Sequence, residues 1–172
     1  MSQEIPVDPS SVAGTSSLGN HPAVAGEPLA SSAAARHSGG CRCGAIRFEV
    51  DAAPLSVGYC HCMDCRRASG APVSAFVGFP ADQSSMSGDQ ARRFANGPVT
   101  RSFCGICGSP LAYVDRRLPG RIYFMLGVMD MPARYAPTLH AYVGEQLPFV
   151  HMPDGLPQHP KSSVTRPDGD PS

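Results

Sequence analysis

Residues 104–110 read Cys104-Gly105-Ile106-Cys107-Gly108-Ser109-Pro110, and this short segment explains much of the rest of the chain. Two cysteines that are separated by two residues and followed by glycine have the spacing of a zinc-knuckle turn. Gly105 and Gly108 free the backbone to curl around an ion, because glycine reaches conformations that other residues avoid. Two thiolates satisfy only half of a tetrahedral zinc site, so this segment requires a second pair of ligands.

The second pair of ligands is supplied by Cys41-Arg42-Cys43. Residues two apart in a strand point to the same face, so Cys41 and Cys43 are predicted to present both thiolates to one ion from a strand. Four sulfur ligands make a closed, structural zinc site, and its binding energy contributes to folding. We therefore predict a structural zinc that ties the first strand to a late hairpin, with the ligands Cys41, Cys43, Cys104 and Cys107.

The remaining three of the seven cysteines lie in Cys60-His61-Cys62-Met63-Asp64-Cys65. Three protein ligands with one open position are the pattern of a catalytic zinc site, so Cys60, Cys62 and Cys65 are predicted to hold a second, catalytic zinc. Strand alternation points His61 away from that ion. Two alternatives stay open. One is a reactive-cysteine site without stable metal, and the other is a closed structural site whose fourth ligand is a side chain such as His61, His37, His140 or His151.

Composition and charge exclude several classes of function. Lys+Arg and Asp+Glu both number 14, so the chain lacks the basic field that nucleic-acid binding requires. Residues 1–10 carry Glu4 and Asp8 where a signal peptide would be basic, and no segment is long and apolar enough to cross a membrane. We therefore expect a cytoplasmic protein, in whose reducing surroundings these cysteine spacings favour metal over disulfide bonds.

The sequence divides into one folded domain and two tails. Residues 1–36 and 157–172 are rich in small residues, proline or aspartate and are predicted to be disordered, which leaves 37–156 as the domain. Within the domain only Cys62–Ser69 is predicted to be helical. Alternating apolar residues and frequent Gly/Pro turns predict a mainly β fold, with strands at 45–50, 55–59, 72–79, 99–103, 111–114, 121–128 and 138–143.

Four runs match a known pattern: Gly40-Cys41-Arg42-Cys43-Gly44-Ala45-Ile46-Arg47-Phe48, Cys60-His61-Cys62-Met63-Asp64-Cys65-Arg66-Arg67-Ala68-Ser69-Gly70-Ala71-Pro72, Phe103-Cys104-Gly105-Ile106-Cys107-Gly108-Ser109-Pro110-Leu111 and Gly127-Val128-Met129-Asp130. Over residues 37–150 the chain resembles the glutathione-dependent formaldehyde-activating enzyme (GFA) family, which shares its domain with centromere protein V. The resemblance implies a β-tent of stacked antiparallel sheets pinned by two zinc ions per chain. It also implies that the second zinc, on Cys60, Cys62 and Cys65, lies beside the site of a substrate thiol.

The resemblance further implies an activity, the reversible condensation of formaldehyde with glutathione to S-hydroxymethylglutathione. Written backwards, this is a carbon–sulfur lyase reaction. Arg66 and Arg67 follow the last ligand of the second site and either bind a carboxylate of glutathione or are solvated charges that offset the thiolates. The alternatives to the enzyme are a non-enzymatic zinc-scaffold binding domain and an oxidised-thiol sensor. A binding role would favour a basic arm, whereas residues 1–36 carry one arginine, Arg36, against three acidic residues.

Overall fold

The computed structural model describes residues 36–165 of the 172-residue chain. The arm predicted at residues 1–36 therefore lies outside the described residues except for Arg36, as do residues 166–172 of the predicted tail. The predicted mainly β class is confirmed, since residues 36–165 form two sheets and one short α-helix. Within residues 36–165 no helix has the length and apolar character needed to cross a lipid bilayer.

The strands are numbered in chain order, with one helix, α1, at Met63–Ser69. They are β1 His37–Gly40, β2 Arg47–Val50, β3 Ser56–Cys60, β4 Ser74–Pro80, β5 Ser84–Ser87, β6 Ala91–Asn96, β7 Val99–Cys104, β8 Pro110–Asp115, β9 Arg121–Met125, β10 His140–Ala141 and β11 Gln158–His159. Short 3₁₀ turns occupy Ala81–Gln83, Leu126–Val128, Pro132–Arg134 and Val143–Glu145.

Two sheets make up the fold. The smaller sheet has the order β1-β2-β5, and the larger has the order β11-β10-β3-β4-β9-β8-β7-β6. All pairings are antiparallel except those of β10, which runs parallel to both β3 and β11. The predicted antiparallel arrangement therefore holds everywhere but at this one edge of the larger sheet.

The main hydrophobic core joins the two sheets. β2 alternates as its sequence predicts, with Phe48 and Val50 fully buried and Arg47 and Glu49 exposed. Phe48 stacks on Phe124 of the larger sheet with ring centroids 3.9 Å apart. This contact fixes β2 against β9, and it places the smaller sheet over one face of the larger sheet.

The opposite face of the larger sheet carries a second apolar cluster, formed by Cys60, Cys65, Phe76, Leu118 and Tyr123. Consecutive residues of one strand pack on opposite faces of the sheet, because successive side chains point to opposite sides. In β4 the main core contains Val77 and Phe79. The larger sheet is therefore apolar on both faces, and the second face carries α1 and the three-cysteine segment.

The structure corrects the predicted position of two cysteine pairs. Cys41 and Cys43 lie in the turn after β1 and not in a strand, because the chain reverses between β1 and β2 and the N–H of Gly44 donates to the carbonyl of Cys41. Cys60 ends β3, whereas Cys62 has left the strand and caps α1. The strand predicted at 121–128 ends at Met125 and becomes a 3₁₀ turn. The strand predicted at 138–143 shrinks to His140–Ala141 before another such turn.

Four strands have no hydrophobic signature and were missed: β1, β5, β6 and β11. β5 reads Ser84-Ser85-Met86-Ser87 and lies at the edge of the smaller sheet, where backbone pairing with β2 holds it in place. β6 reads Ala91-Arg92-Arg93-Phe94-Ala95-Asn96 and lies at the edge of the larger sheet. Such strands are stabilised by a partner's backbone, which is why local sequence does not reveal them.

The end of the domain differs from the boundary predicted at residue 156. Gln158–His159 pairs with β10, and the backbone N–H of His140 donates to the carbonyl of Pro157 at 2.8 Å. Val164 packs against the second apolar cluster. The chain from 157 to 165, predicted as part of a tail, therefore contributes to the larger sheet and to its second face.

Candidate metal centres and their cavity

The four predicted structural ligands come together. The sulfur atoms of Cys41, Cys43, Cys104 and Cys107 all lie within 4.8 Å of one another, and none of these residues forms a disulfide. The Sγ atoms of Cys41 and Cys43 are 3.5 Å apart, and those of Cys43 and Cys104 are 3.7 Å apart. Tetrahedral zinc with bonds near 2.3 Å requires sulfur atoms roughly 3.8 Å apart, so this donor set fits zinc.

Two matching turns build this cluster. The N–H of Gly44 donates to the carbonyl of Cys41, and the N–H of Gly108 donates to the carbonyl of Cys104, both at 3.0 Å. Gly44 has φ +79° and Gly108 has φ +71°, left-handed conformations that other residues adopt only with strain. Each glycine therefore folds its turn back so that the two cysteines of the turn face the same point.

Hydrogen bonds prepare these sulfur atoms for a cation. Cys41 Sγ accepts from the N–H of Ile46 at 3.2 Å. The Ser109 hydroxyl lies 3.2 Å from Cys107 Sγ and is the largest of several causes that lower the pKa of that thiol to about 5. A thiolate is the form that binds metal, so the turn favours the ligand state of Cys107 before an ion arrives.

The three middle cysteines form a separate cluster. The sulfur atoms of Cys60, Cys62 and Cys65 lie within 4.8 Å of one another, with 3.5 Å between those of Cys60 and Cys62. In residues 36–165 no histidine, aspartate or glutamate joins this group. The donor set again fits zinc, but it has three members where the first cluster has four.

Cys62 holds the charge of this cluster. Its Sγ accepts from the N–H of Cys65 at 3.2 Å and so caps α1. Hydrogen bonds from the thiols of Cys60 and Cys65 lower the pKa of Cys62 to about 2 against the opposing effect of burial. The hydrogen bonds to Cys62 and Cys65 raise the pKa of Cys60, and burial raises it further. The three sulfur atoms are therefore arranged to hold a thiolate at Cys62 first.

The histidines weighed as a fourth ligand have other partners. His61 Nε2 lies 2.9 Å from His140 Nδ1, and His140 Nε2 lies 3.0 Å from the carboxylate of Asp154. His37 Nδ1 lies 2.6 Å from the Tyr135 hydroxyl. His151 is exposed and lies outside both clusters. The hydrogen-bonded chain His61–His140–Asp154 fixes the position of His61, which lies between the ligands Cys60 and Cys62 in the sequence. Burial is the main cause that lowers the pKa of His61, and it favours the neutral form.

Arg101 is a site residue that the sequence analysis missed. Its Nη2 lies 3.7 Å from Cys65 Sγ and forms an ion pair with Asp64, and its guanidinium covers the Tyr113 ring at 5.4 Å. Among the described residues, Arg101 is a cation whose side chain contacts a sulfur atom of the cluster. Its positive charge therefore offsets the negative charge of the thiolates. One signal was present, since strand alternation places Arg101 between two apolar residues, Val99 and Phe103.

The two arginines predicted to bind substrate lie in different surroundings. Arg66 Nη1 donates to the backbone carbonyl of Glu145 at 2.7 Å and also to that of His61. It thus ties α1 to the turn at Val143–Glu145. Arg67 instead lines a cavity on the side of α1 that faces β6 and β7.

Two cavities adjoin the three-cysteine cluster. The first, of about 450 Å³, is lined by all three cysteines of the cluster, by aromatic and aliphatic side chains and by residues 162–164. The second, of about 690 Å³, is lined by Cys65 and Arg67 but not by Cys60 or Cys62. Arg101 lines both cavities. The first cavity has a volume typical of a small-molecule site and is lined by all three sulfur-bearing residues, whereas the second is lined by one of them.

The Tyr123 hydroxyl is buried beside the first cavity and has no hydrogen-bond partner within the described part of the chain. Tyr123→Phe is therefore expected to leave the free energy of unfolding unchanged or to raise it by about 1 kcal/mol. Tyr135→Phe is the matched control. It removes a bond to His37 and is expected to cost about 1–3 kcal/mol. Urea unfolding measures both, and an equal loss in the two variants would show that the Tyr123 hydroxyl is satisfied.

Comparison with known protein families finds a match over the part of the chain that contains this site. Residues 36–145 match the sequence profile of the glutathione-dependent formaldehyde-activating enzyme family. The chain belongs to the GFA family. The matched range contains both cysteine clusters of the GFA domain and ends at Glu145. A solved crystal structure of a Rhodobacter sphaeroides protein is 21% identical, with a TM-score of 0.45, and the match covers 71% of this chain and 98% of the other.

Proposed function

We propose that this GFA-family chain is a zinc-dependent carbon–sulfur lyase that acts on a thiol–aldehyde adduct such as S-hydroxymethylglutathione. The observation that carries the proposal is the difference between the two cysteine clusters. One has four sulfur donors, while the other has three and lines a cavity of about 450 Å³. Family membership supports glutathione and formaldehyde as the first substrates to test.

Metal content is the first consequence. Because the thiols divide into sets of four and three, purified protein is expected to hold two zinc ions per chain, the second less tightly. Elemental analysis, together with titration of the free thiols in native protein, measures this. A reproducible value of one zinc ion, with three thiols that titrate freely, would contradict the second site.

The chemistry divides between the ion and the chain. Cys60, Cys62 and Cys65 would hold the zinc ion, which when bound would stabilise a thiol as thiolate, the form that adds to an aldehyde carbon. In the lyase direction the carbon–sulfur bond breaks and its electron pair stays on sulfur. The adduct hydroxyl loses its proton as the carbonyl forms, and that proton completes the product thiol. Arg101, fixed by Asp64, offsets the negative charge that gathers on sulfur.

The walls of the first cavity position the adduct. Phe76 and Tyr113 meet edge to face at 5.0 Å, and Tyr113 stacks on Tyr123 at 4.8 Å, so this part of the wall is aromatic and rigid. Such walls exclude water from the reacting carbon. Neither arginine predicted to bind a glutathione carboxylate lines this first cavity, since Arg67 lines the second cavity and Arg66 donates to two backbone carbonyls.

The test is exchange NMR of glutathione with formaldehyde. The zinc-loaded protein is expected to speed the equilibration above the rate in buffer, and protein freed of zinc is expected not to. A zinc-replete, folded protein that neither binds glutathione nor changes the exchange rate would overturn the assignment of these substrates. Absence of acceleration with a panel of other thiols and aldehydes would then favour the non-enzymatic scaffold.

A further inference from the structure

We propose that residues 160–164, here called the C-terminal wall, set the size of the thiol that can reach the three-cysteine cluster. This inference rests on the proposed function, since it names the element that selects the thiol. The GFA match ends at residue 145, yet Ser162, Ser163 and Val164 line the same cavity as Cys60, Cys62 and Cys65. A part of the chain beyond the family match thus completes the site.

Backbone hydrogen bonds anchor the C-terminal wall to the rest of the fold. The N–H of Tyr142 donates to the carbonyl of Lys161 at 2.9 Å, and the N–H of Gly144 donates to the carbonyl of Pro160 at 3.2 Å. Just before the wall, β11 pairs with β10, which in turn pairs with β3. Because β3 ends at Cys60, the wall is connected through the sheet to the first ligand of the cluster.

Tyr142 shows how firmly this part of the cavity is held. It is the one non-glycine residue with positive φ in the described range, at +59°. A tyrosine in the left-handed region is strained and persists only where its surroundings fix it. Its N–H is bonded to the wall, and the residue lines the cavity. The wall and the Tyr142 backbone are therefore held together.

Val164 is the residue of the wall that faces the apolar cluster. It packs against the group of Cys60, Cys65, Phe76, Leu118 and Tyr123. The Ser162 hydroxyl fixes its backbone, since it donates to the Val164 carbonyl at 2.9 Å and accepts from the Val164 N–H at 3.2 Å. A change in the side-chain volume of Val164 therefore changes the free volume beside the cysteines, because these hydrogen bonds keep the backbone from moving aside.

The charges around the cavity point to size as the selecting property. Arg101 is paired with Asp64, and Arg117 is paired with Asp115 at 2.9 Å. Glu145, which also lines the cavity, accepts a hydrogen bond from the backbone N–H of Met63 at 2.7 Å. The wall residues that line the cavity are Ser162, Ser163 and Val164, which are neutral, and Lys161 does not line it. The wall thus discriminates by steric fit, and the effect of changing it should grow with the size of the thiol.

The experiment uses the full, zinc-loaded chain with Val164→Trp and Val164→Ala, and Val114→Trp as the matched control. Val114 lies on β8 and lines neither cavity. Binding of glutathione and of 2-mercaptoethanol is measured by calorimetry, with thermal melts to confirm folding. Val164→Trp is expected to weaken glutathione binding roughly tenfold, because overpacking an ordered wall is costly, while 2-mercaptoethanol binding stays within roughly twofold. Val164→Ala is expected to leave glutathione binding equal or tighter.

A second readout does not depend on thiol binding. The rates at which a small and a bulky maleimide modify Cys62, followed by peptide mass spectrometry, report access through the cavity. Val164→Trp is expected to lower the bulky-to-small rate ratio and Val114→Trp to leave it unchanged. Equal ratios in all variants would overturn the proposal that the wall sets the size of the thiol that reaches the cluster. Binding of neither thiol by the wild-type protein would instead overturn the proposed function, and the maleimide ratio would still decide on the wall.

Discussion

Cys104→Ser is expected to leave the chain unable to fold. Cys104 is 1% exposed, ends β7 and packs in the main hydrophobic core beside Cys41. A structural zinc supplies roughly 10–16 kcal/mol of apparent binding free energy. A domain of this size is stable by only about 5–15 kcal/mol. Loss of one ligand from the closed cluster therefore removes free energy comparable to the whole stability of the domain.

Circular dichroism and thermal melts measure this loss, and Cys62→Ser is the comparison. Cys62 belongs to the open cluster and lies outside the main core. Its variant is expected to fold and to retain one zinc ion. If melts show Cys62→Ser to be the more damaging change, the structural and open sites have been assigned the wrong way round.

Cys62→Ser is in turn expected to abolish the acceleration of glutathione–formaldehyde exchange. Of the three cysteines in this cluster, Cys62 is the one whose pKa both of the others lower, and it lines the first cavity. A serine hydroxyl does not ionise at neutral pH, so the cluster would keep only two thiolates, too few to retain the second zinc ion. The exchange rate should fall to that of buffer, and zinc content should fall to one ion per chain.

Met131→Ser provides the control for this loss. Met131 is an exposed side chain that lines neither cavity, so a sulfur-containing side chain is replaced by serine away from the site. Its exchange rate should match that of the wild-type protein. Retention of both zinc ions and full acceleration by Cys62→Ser would show that the reaction does not use the open cluster.

The cysteine clusters could be predicted from the sequence because their information is local. Spacing and the following glycines fix each turn, as Gly44 and Gly108 show by their left-handed conformations. The secondary structure at Cys41 and Cys43 was harder to predict, because a strand and a tight turn bring two sulfur atoms together equally well. The grouping of the sulfur atoms was therefore right, while the local structure assigned to that pair was wrong.

The rest of the site depends on contacts between segments far apart in the chain. Arg101 reaches Cys65 from 36 positions away, and no motif links the two. The short strand β11 is defined by parallel pairing with β10, which a Pro- and Ser-rich sequence does not predict. Its pairing turns a predicted tail into one wall of a cavity. Arg66 is the converse case, because its proximity in sequence suggested a substrate contact whereas its guanidinium binds backbone carbonyls.

The two apolar faces of the larger sheet have a consequence for how this site can change. In β4 and β9 the residues of the cavity alternate with those of the core, as Phe76 does with Val77 and Tyr123 with Phe124. A substitution at one position of each pair alters the cavity and leaves its neighbour's packing in the main core in place. The shape of the cavity can therefore change by single substitutions that keep the main core intact. Because Phe76 and Tyr123 are 6% exposed, conservative apolar changes there should yield more folded proteins than the same changes at the fully buried Val77 and Phe124.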